Sequence, residues 1–422
     1  MKTFTRLVFT VLLLVHPARS AQLPIETTLV DGQALSFSTF QSNNQKVVQN
    51  KRGIFMSHTR TRNKKYTAQQ WRVSRSQDGG KSFATIFEST DATNPPVLET
   101  DAADNIYVMH PDWTSQEIIL CRFLSAEDYR ESHRTIVGKG AAGKYSMMID
   151  EPRGQLCYFS HSGIFHRVKL DGALIDSRLI IKRGTTAVQE YTHLNLDANG
   201  VLHAAWTSLN IPLHRYWGIH HAQSADGGTT WSTFTGTPLP LPFIADESGA
   251  TDRITLDDEF EPSTWLASML IKDGKAHFLY NAAMKPARQH HVRIDIATGK
   301  REVDHQDVSL KGDTLALSGL DGFFATDAKK SGSPLYCIAR EVRGFRIAGL
   351  ISRDNGATWH DYAVSEKFRE GDSTEFNQPY ATGGCRSVTA DGFIIGSFTE
   401  LEGKEQKNVR GGKVWFFKIK AE

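Results

Sequence analysis

Hydrophobic and polar residues alternate in short runs along most of this 422-residue chain, and turns containing glycine and aspartate separate the runs. A period of two is typical of β-strands that bury one face. Seven stretches share a strand–turn–strand pattern whose second strand ends in a polar residue, at 46–58, 96–110, 145–161, 193–207, 265–281, 322–340 and 385–400. No long amphipathic helix interrupts them, so the pattern predicts an all-β protein.

Three of the predicted hairpins have nearly the same turn, SQDGGKSF (76–83), SADGGTTW (224–231) and SRDNGATW (352–359). Serine and aspartate side chains hydrogen-bond to neighbouring backbone groups in such turns, and glycine adopts the positive φ that they need. The closing Phe or Trp is placed to pack over the hairpin. We therefore interpret these turns as structural, and their recurrence as the sign of a repeated supersecondary unit.

The strand units are about 40 to 60 residues long, a typical propeller repeat. We predict a single seven-bladed β-propeller of four-stranded antiparallel blades over residues 21–422, with a six-bladed ring as the alternative. The last unit ends in KVWFFKIK and lacks an outer strand, which the N-terminal stretch TTLVDGQALSFS (27–38) can supply. That pairing would close the ring and remove exposed sheet edges.

The first twenty residues differ from the rest of the chain. Lys2 and Arg6 precede an apolar run that is too short to span a bilayer, and the small residues Ala18 and Ser20 follow it. This predicts a secretory signal peptide at 1–20, cleaved after Ser20, and a secreted or periplasmic protein. Removal of its three basic residues changes the net charge from +2 to −1. A near-neutral chain argues against a nucleic-acid ligand, and no later segment predicts a membrane anchor.

Equivalent strand ends of successive blades face the same mouth of the central channel, so polar residues there should converge. The second strands end at His58, His110, His161, Thr207, Asn281, Arg340 and Glu400, and the first strands begin near Gln45, Asn94, Tyr145, His193 and Arg386. A single histidine at a strand end is more often a packed or solvated residue than a catalyst. Three histidines at matched positions beside a tyrosine favour a functional site.

From this ring we predict two sets of residues. The predicted catalytic residues are Tyr145, His110, His161 and His193. The predicted substrate-binding residues are His58, Gln45, Asn94, Arg340 and Arg386, together with Arg215 and Tyr216 from an aromatic, basic segment before the second repeated turn.

The repeated turn has the sequence of an Asp-box, and the chain resembles the sialidase-like BNR-repeat propellers. The segment SADGGTTWSTFTGTPLPLP (224–242) is similar to the BNR group that contains ulvan lyases and enzymes that act on rhamnosyl-glucuronate, including rhamnosidases. The resemblance extends loosely over residues 21–422. It implies a carbohydrate-active enzyme that degrades an acidic poly- or oligosaccharide.

Some positions match the pattern of those lyases and others depart from it. Tyr145 stands where they have a tyrosine at the start of a first strand, and His110 matches the second of two histidines in the preceding blade. His161 replaces their arginine, and DATNPP (91–96) lacks the first histidine. Gln41 and Ser42 lack the histidine of the rhamnosidases, and FQSNNQKVV (40–48) lacks the arginine of sialidases.

Three functions remain open from the sequence, and we favour the first, a lyase. β-Elimination beside a uronic acid needs a base, an acid and a group that neutralises the carboxylate, roles that suit Tyr145, the histidines and Arg340. Glycoside hydrolysis usually needs two carboxylates, and Glu400 is the one acidic residue among these strand ends. The third function is glycan binding without turnover.

Cofactors and assembly are weakly indicated by the sequence. It contains neither an HExxH motif nor cysteine-based zinc spacing among its four cysteines. We therefore predict no cofactor, with a structural calcium or zinc ion as the alternative, and a monomer.

Overall fold

The structure, a computed structural model, describes most of the chain beyond the N-terminal segment. The described ranges are 22–41, 44–62, 69–91, 93–140, 143–246, 249–259, 263–284, 288–307, 310–318, 321–342, 346–368, 379–401 and 411–422. The predicted signal peptide at 1–20 lies outside them.

The described chain consists mainly of β-strands, which form seven groups that we call units A to G. The chain begins with β1 (Leu23–Pro24) and β2 (Glu26–Leu35). Unit A contains β3 (Val47–Asn50), β4 (Gly53–Thr61), β5 (Gln69–Ser76) and β6 (Ala84–Glu88). Unit B contains β7 (Val97–Thr100), β8 (Ile106–Pro111), β9 (Glu117–Phe123) and β10 (His133–Lys139). Unit C contains β11 (Ser146–Asp150), β12 (Gln155–Phe159), β13 (Ile164–Lys169) and β14 (Leu174–Leu179).

The second half of the chain continues this organisation. After β15 (Ile181–Lys182), unit D contains β16 (Ala187–Leu196), β17 (Leu202–Asn210), β18 (Arg215–Ser224), β19 (Trp231–Ser232) and β20 (Pro238–Leu239), followed by the short β21 (Phe243–Ile244) and β22 (Asp252–Arg253). Unit E contains β23 (Thr264–Lys272), β24 (Lys275–Ala282), β25 (Arg288–Asp295) and β26 (Arg301–Asp307), and the short β27 (Leu310–Lys311) and β28 (Ala316–Leu317) follow. Unit F contains β29 (Phe323–Thr326), β30 (Leu335–Arg340), β31 (Ile347–Ser352) and β32 (His360–Val364). Unit G contains β33 (Pro379–Gly384), β34 (Phe393–Leu401) and β35 (Gly411–Lys420).

Within the described ranges, helical structure is limited to single turns of 3₁₀ helix. They span Ser125–Glu127, Glu151–Arg153 and Asp257–Glu259. Within the described part of the chain, no helix has the length and apolarity needed to cross a bilayer.

Consecutive strands within a unit pair antiparallel, as the alternating pattern predicted. The N-terminal strand β2 lies beside β35 of unit G in antiparallel register, with Leu29 opposite Trp415. This is the position that the sequence indicated for residues 27–38. One further pairing, Ala34 opposite Arg60, joins β2 to β4 of unit A.

The units pack face to face through apolar clusters. The cluster between units C and D contains Phe159, Phe165 and Trp206, each at most 1% exposed. Equivalent clusters lie between each other pair of consecutive units, and one between units G and A contains Val47, Met56 and Phe416. Burying a side chain of this size stabilises the fold by about 2 to 3 kcal/mol. The all-β prediction is confirmed, and the arrangement is that of a β-propeller.

The three repeated turns adopt the same hydrogen-bonded conformation. In the second, the backbone N–H of Gly228 donates to Ser224 Oγ over 2.7 Å, and Asp226 Oδ1 accepts the N–H of Thr230 over 2.8 Å. The first and third turns repeat both bonds through Ser76 with Asp78 and through Ser352 with Asp354. The polar groups of these turns are satisfied within the turn itself, which agrees with a structural role.

The last predicted unit needs a correction. The pattern placed its first strand in the stretch that begins at Cys385, but β33 ends at Gly384. The chain leaves the strand there because the carbonyl of Arg386 accepts the N–H of Thr326 over 3.1 Å, and Ser387 pairs with Thr326 of unit F. Arg386 therefore follows the first strand of unit G and does not begin it.

The first repeated turn provides a matched test of this packing. A Cβ added at Gly80 would lie 2.4 Å from the Phe416 ring, whereas a Cβ at Gly79 meets nothing within 4 Å, and both residues have positive φ. We expect Gly79→Ala to lower the free energy of unfolding by about 1 to 2 kcal/mol through backbone strain. Gly80→Ala should cost about 1 to 3 kcal/mol more through overpacking. Urea unfolding measures both, and equal losses would contradict this account.

Candidate functional site

An open cleft of about 490 Å³ lies on the face where the first strands of units B to D begin. It is lined by Phe40, Asn94, Trp113, Gly143, Lys144 and Tyr191. These residues come from the turn after β2, the segments before β7 and β11, the turn after β8, and β16. The volume is in the range of small-molecule sites, and aromatic walls with a few polar groups are typical of them.

A lysine, a glutamate and a histidine meet at the edge of this cleft. Lys144 Nζ lies 3.1 Å from Glu190 Oε2, and His161 Nδ1 lies 3.7 Å from the same oxygen. The Glu190 side chain is 6% exposed, whereas those of Lys144 and His161 are 25% and 24% exposed. We call these three residues the Lys144–Glu190–His161 cluster. Its carboxylate is buried, and its two nitrogen bases reach solvent.

Burial has a defined effect on the histidine of the cluster. Burial lowers the pKa of His161; the Glu190 carboxylate acts in the opposite direction, and Lys144 adds to the lowering. The ring is therefore neutral at neutral pH and can accept a proton. A Cβ added at Gly143 would lie 2.7 Å from the His161 ring, so glycine at this position lets the ring approach the cleft floor.

An irregularity in β16 positions the glutamate and the tyrosine of the site. Glu190 lies opposite Thr207 and His193 opposite Ala205, so β16 contains one extra residue between them. Tyr191, within this bulge, has a φ of 45°, a conformation that is rare for an aromatic residue. Bulges re-aim side chains and are common beside active sites. Here the bulge brings Glu190 to Lys144 and Tyr191 to the cleft.

Aromatic packing supports the strained Tyr191 backbone. Its ring centroid lies 4.0 Å from that of Trp265 and 5.4 Å from that of Tyr216, and Lys144 Nζ lies 5.1 Å from the Tyr191 ring. The hydroxyls of Tyr191 and Tyr216 are 3.4 Å apart. The predicted binding residue Tyr216 thus contacts a wall of the cleft, and its neighbour Arg215 is exposed at the start of β18.

The floor beneath Lys144 is held by buried amides and a buried lysine. Asn44 Nδ2 donates to Gln41 Oε1 over 2.8 Å and to the Tyr145 carbonyl over 2.5 Å. Lys46 Nζ donates to the carbonyls of Gln41 and Asn44 over 2.5 and 3.1 Å. Lys46 is 2% exposed, and burial lowers its pKa to about 7. These bonds connect the turn after β2 to the segment that contains Lys144.

Three predicted residues come together beside the cleft. The Tyr145 hydroxyl donates to the carbonyl of Asn94 over 3.2 Å, and Asn94 Nδ2 donates to the carbonyl of Gly143 over 2.8 Å. His161 lies against the same Gly143. Tyr145 is 1% exposed, and burial raises the pKa of its hydroxyl, so the phenol keeps its proton at neutral pH.

Two other predicted residues, Arg386 and Gln45, form a buried network with Glu99, which the sequence did not single out, and His193 lies within reach of the charge of Arg386. The Arg386 guanidinium pairs with the Glu99 carboxylate, and Gln45 bridges the pair by accepting from the Arg386 N–H over 3.2 Å and donating to Glu99 over 3.1 Å. His193 is 3% exposed; burial lowers its pKa to about 3, and the charge of Arg386 acts in the same direction. This network joins the first strands of units that are distant in sequence.

The remaining histidines of the predicted ring are fully buried elsewhere. His58 Nε2 lies 3.1 Å from Asp31 Oδ2 of β2. The His110 ring centroid lies 5.0 Å from that of Trp71, and Nε2 lies 3.7 Å from Asp91. Burial lowers the pKa of His110 to about 4, against the opposing effect of Asp91.

Arg340 in unit F and Glu400 in unit G, both predicted at strand ends, form hydrogen bonds with other residues of the fold. The carbonyl of Arg340 accepts the N–H of Ser318 over 2.8 Å, at the end of β30. Glu400, the carboxylate considered for hydrolysis, accepts from Trp415 Nε1 over 2.8 Å. Among the described residues, no group of three or more His, Cys, Asp or Glu side chains is arranged to hold a metal ion.

The cleft residues that the sequence analysis missed lie close to residues that it found. Lys144 precedes Tyr145, Glu190 and Tyr191 precede His193, and Trp113 follows His110 by three positions. Strict alternation hid Glu190 and Tyr191, because the bulge inserts a residue that a period of two cannot accommodate. A charged or aromatic residue within three positions of a predicted strand end is the signal that would have indicated them.

The buried Lys46, which precedes β3, should make the stability of the protein depend on pH. The unfolded chain binds more protons than the folded chain between the folded pKa of about 7 and the ordinary value of 10.5. The free energy of unfolding should therefore rise with pH in this window. We expect wild type to gain about 2 kcal/mol relative to Lys46→Met between pH 7 and pH 9. Denaturant unfolding tests this, with exposed Lys169→Met as the control, and a pH-independent difference would contradict it.

Comparison with known proteins identifies similar structures but no sequence family. No protein-family model and no curated protein matches the chain. The structure of a PL25 ulvan lyase bound to -[GlcA(1-4)Rha3S]- is similar with a TM-score of 0.61 at 12% identity, over 92% of this chain and 95% of that one. The polysaccharide lyase Uly1 is similar with a TM-score of 0.59 at 12% identity, over 95% and 100%. A protein of unknown function from Dyadobacter fermentans has a TM-score of 0.50 at 10% identity, over 94% and 98%. These likenesses show a shared fold.

Proposed function

We propose that the protein is a lyase that cleaves a poly- or oligosaccharide beside a uronic acid by β-elimination. The observation that carries this proposal is the Lys144–Glu190–His161 cluster at the edge of an aromatic cleft. It places the Lys144 ammonium and the neutral His161 imidazole close enough together to contact the same sugar residue. The similar fold of a lyase bound to a glucuronate-containing glycan supports the same substrate class.

The proposed elimination needs three roles. Lys144 and His161 at the cleft take two of them, and Tyr145, which is buried beside the cleft, takes the third once its hydroxyl has left the carbonyl of Asn94. Lys144 neutralises the uronate carboxylate, which stabilises the enolate-like charge that develops when C5 loses its proton. Neutral His161 accepts that proton. The electron pair forms the C4–C5 double bond, the C4–O4 bond breaks, and Tyr145 supplies the proton to O4. In this proposal His110 and His193, whose rings are buried, support the site and do not contact the sugar.

Sugar binding is assigned to the walls of the cleft. Phe40 and Trp113 offer aromatic surfaces to sugar faces, with Trp113 43% exposed, and Tyr191, 3% exposed, supports the cleft wall from behind. Asn94 lines the cleft with an amide, and Arg215 and Tyr216 extend the surface at its rim. We keep Gln45 and Arg386 as residues that shape the site from the buried network, and His58 and Arg340 as more distant supports.

The architecture and location belong to the same proposal. We infer that units A to G are seven blades of a closed ring, a reading supported by the apolar cluster between units G and A and by the pairing of β2 with β35. We also propose that residues 1–20 are removed, that the protein is secreted or periplasmic, and that it acts as a monomer.

Glycan binding without turnover is the second candidate function. The hydroxyl of Tyr145 is bound to the carbonyl of Asn94 and buried, so it must move to reach a sugar oxygen. A binder would use the same aromatic walls and Lys144 without that movement.

The first experiment is incubation of residues 21–422 with uronic-acid polysaccharides and rhamnose-capped arabinogalactan, following ultraviolet absorbance and released sugar together. We expect new absorbance from an unsaturated uronate. His161→Gln and Lys144→Met should each lower kcat/KM by about 100-fold or more, since each removes a transition-state interaction.

The exposed Lys169→Met on β13 is the control for loss of a positive charge and should match wild type. Released sugar without absorbance would replace elimination by hydrolysis. Glycan binding without either signal would favour the binder.

A further inference from the structure

The Glu190 carboxylate lies near two side-chain nitrogen atoms but forms a well-aligned hydrogen bond with neither. Its Oε2 is 3.1 Å from Lys144 Nζ and 3.7 Å from His161 Nδ1, yet no hydrogen bond of good geometry reaches this buried oxygen. His161 Nδ1 also lacks a hydrogen-bond partner. An unsatisfied buried carboxylate oxygen is costly, so its position beside two nitrogen bases calls for a functional explanation.

The surroundings of His161 limit what can change its charge. Among the described residues, the charged groups acting on its ring are Glu190 from β16 and Lys144 from the segment before β11. These two groups oppose each other, and in the empty cleft Lys144 also lies closer to the carboxylate than His161 does. Any anion that draws Lys144 towards the cleft would leave Glu190 with His161 as its nearest base.

We propose that Glu190 is an exchangeable counter-ion, which pairs with Lys144 in the empty cleft and with His161 once a uronate carboxylate has engaged Lys144. This inference rests on the proposed function only in taking a uronate as the anion. Glu190 is thus a positioning residue that acts through His161 and does not touch the sugar.

The exchange couples substrate binding to the basicity of the histidine. When the uronate neutralises Lys144, the repulsion from the lysine falls and the attraction of Glu190 is felt by His161 alone. The pKa of His161 should then rise, because a close opposite charge favours the protonated ring. His161 is neutral before the sugar arrives, so it has room for the C5 proton, and it is most basic when that proton is to be taken.

The test uses methyl glucuronide, which has no leaving group at O4 and cannot be eliminated, and methyl glucoside, which differs from it in lacking the carboxylate. Calorimetric titration near pH 7 in two buffers of different ionisation enthalpy measures the protons taken up on binding. We expect uptake with the glucuronide and none with the glucoside. Histidine NMR should show the titration midpoint of His161 moving upwards with the glucuronide.

Glu190→Gln separates this role from a structural one. The variant should bind the glucuronide as well as wild type or severalfold better, because Lys144 has lost its competing partner, and the proton uptake should disappear. Asp176→Asn is the matched control, because it removes a carboxylate paired with Arg167 on the outer strands of unit C. It should leave both quantities unchanged. Parallel loss of affinity and proton uptake in Glu190→Gln would overturn the exchange in favour of a structural role.

The outcomes distinguish this inference from the proposed reaction. Glucuronide binding without proton uptake overturns the exchange and leaves the lyase proposal standing. Proton uptake with no unsaturated product from any polymer overturns the lyase proposal and supports the exchange. If the glucuronide binds no better than the glucoside, both fail. If Glu190→Gln does not fold, the His161 midpoint of wild type with and without glucuronide still decides the question.

Discussion

The face-to-face packing of one sheet on the next is the constraint on which the rest of the structure depends. Each unit buries both faces of its sheet only when a neighbouring unit covers each face. Units A and G, the first and the last, must therefore pack against each other. Pairing of β2 with β35, and the cluster of Val47 and Phe416 between units G and A, meet that need. The N-terminal strand thereby satisfies the edge of the last sheet, which would otherwise expose unpaired backbone groups. The first strands of the units are positioned as a consequence of this packing.

The candidate site departs from the regularity that builds the sheets. In β16 one inserted residue breaks the ladder between Glu190 and His193 and forces Tyr191 to a positive φ. Such a conformation persists only where surrounding contacts compensate for its cost, and here Trp265 and Tyr216 pack on the ring. The same bulge delivers a buried carboxylate to Lys144. Local strain and the candidate chemistry therefore have a common origin in one strand.

Several of the described histidines lie outside the cleft and bond to each other or to a neighbouring unit. His277 Nδ1 lies 3.1 Å from His291 Nε2, and Trp359 of the third repeated turn donates to His291 Nδ1 over 3.2 Å. Burial lowers the pKa of His277 to about 3, so the ring is neutral and can both donate and accept. A neutral imidazole suits such an interface because it is flat, largely apolar and able to bond at two ends. This explains why matched histidine positions overestimated the number of histidines at the cleft.

The sequence by itself determined the all-β class, the strand–turn–strand rhythm, the structural role of the repeated turns and the place of the N-terminal strand, because these follow from local alternation and turn chemistry. It also indicated Asn94, Tyr145 and His161 from their places at strand ends. Only the tertiary structure brought Glu190 to Lys144 and His161, placed Arg386 in the buried network with Glu99, and buried the side chains of His58 and His110. Those outcomes depend on a bulge, on a strand that ends one residue before Cys385, and on contacts between distant units, none of which a period of two encodes.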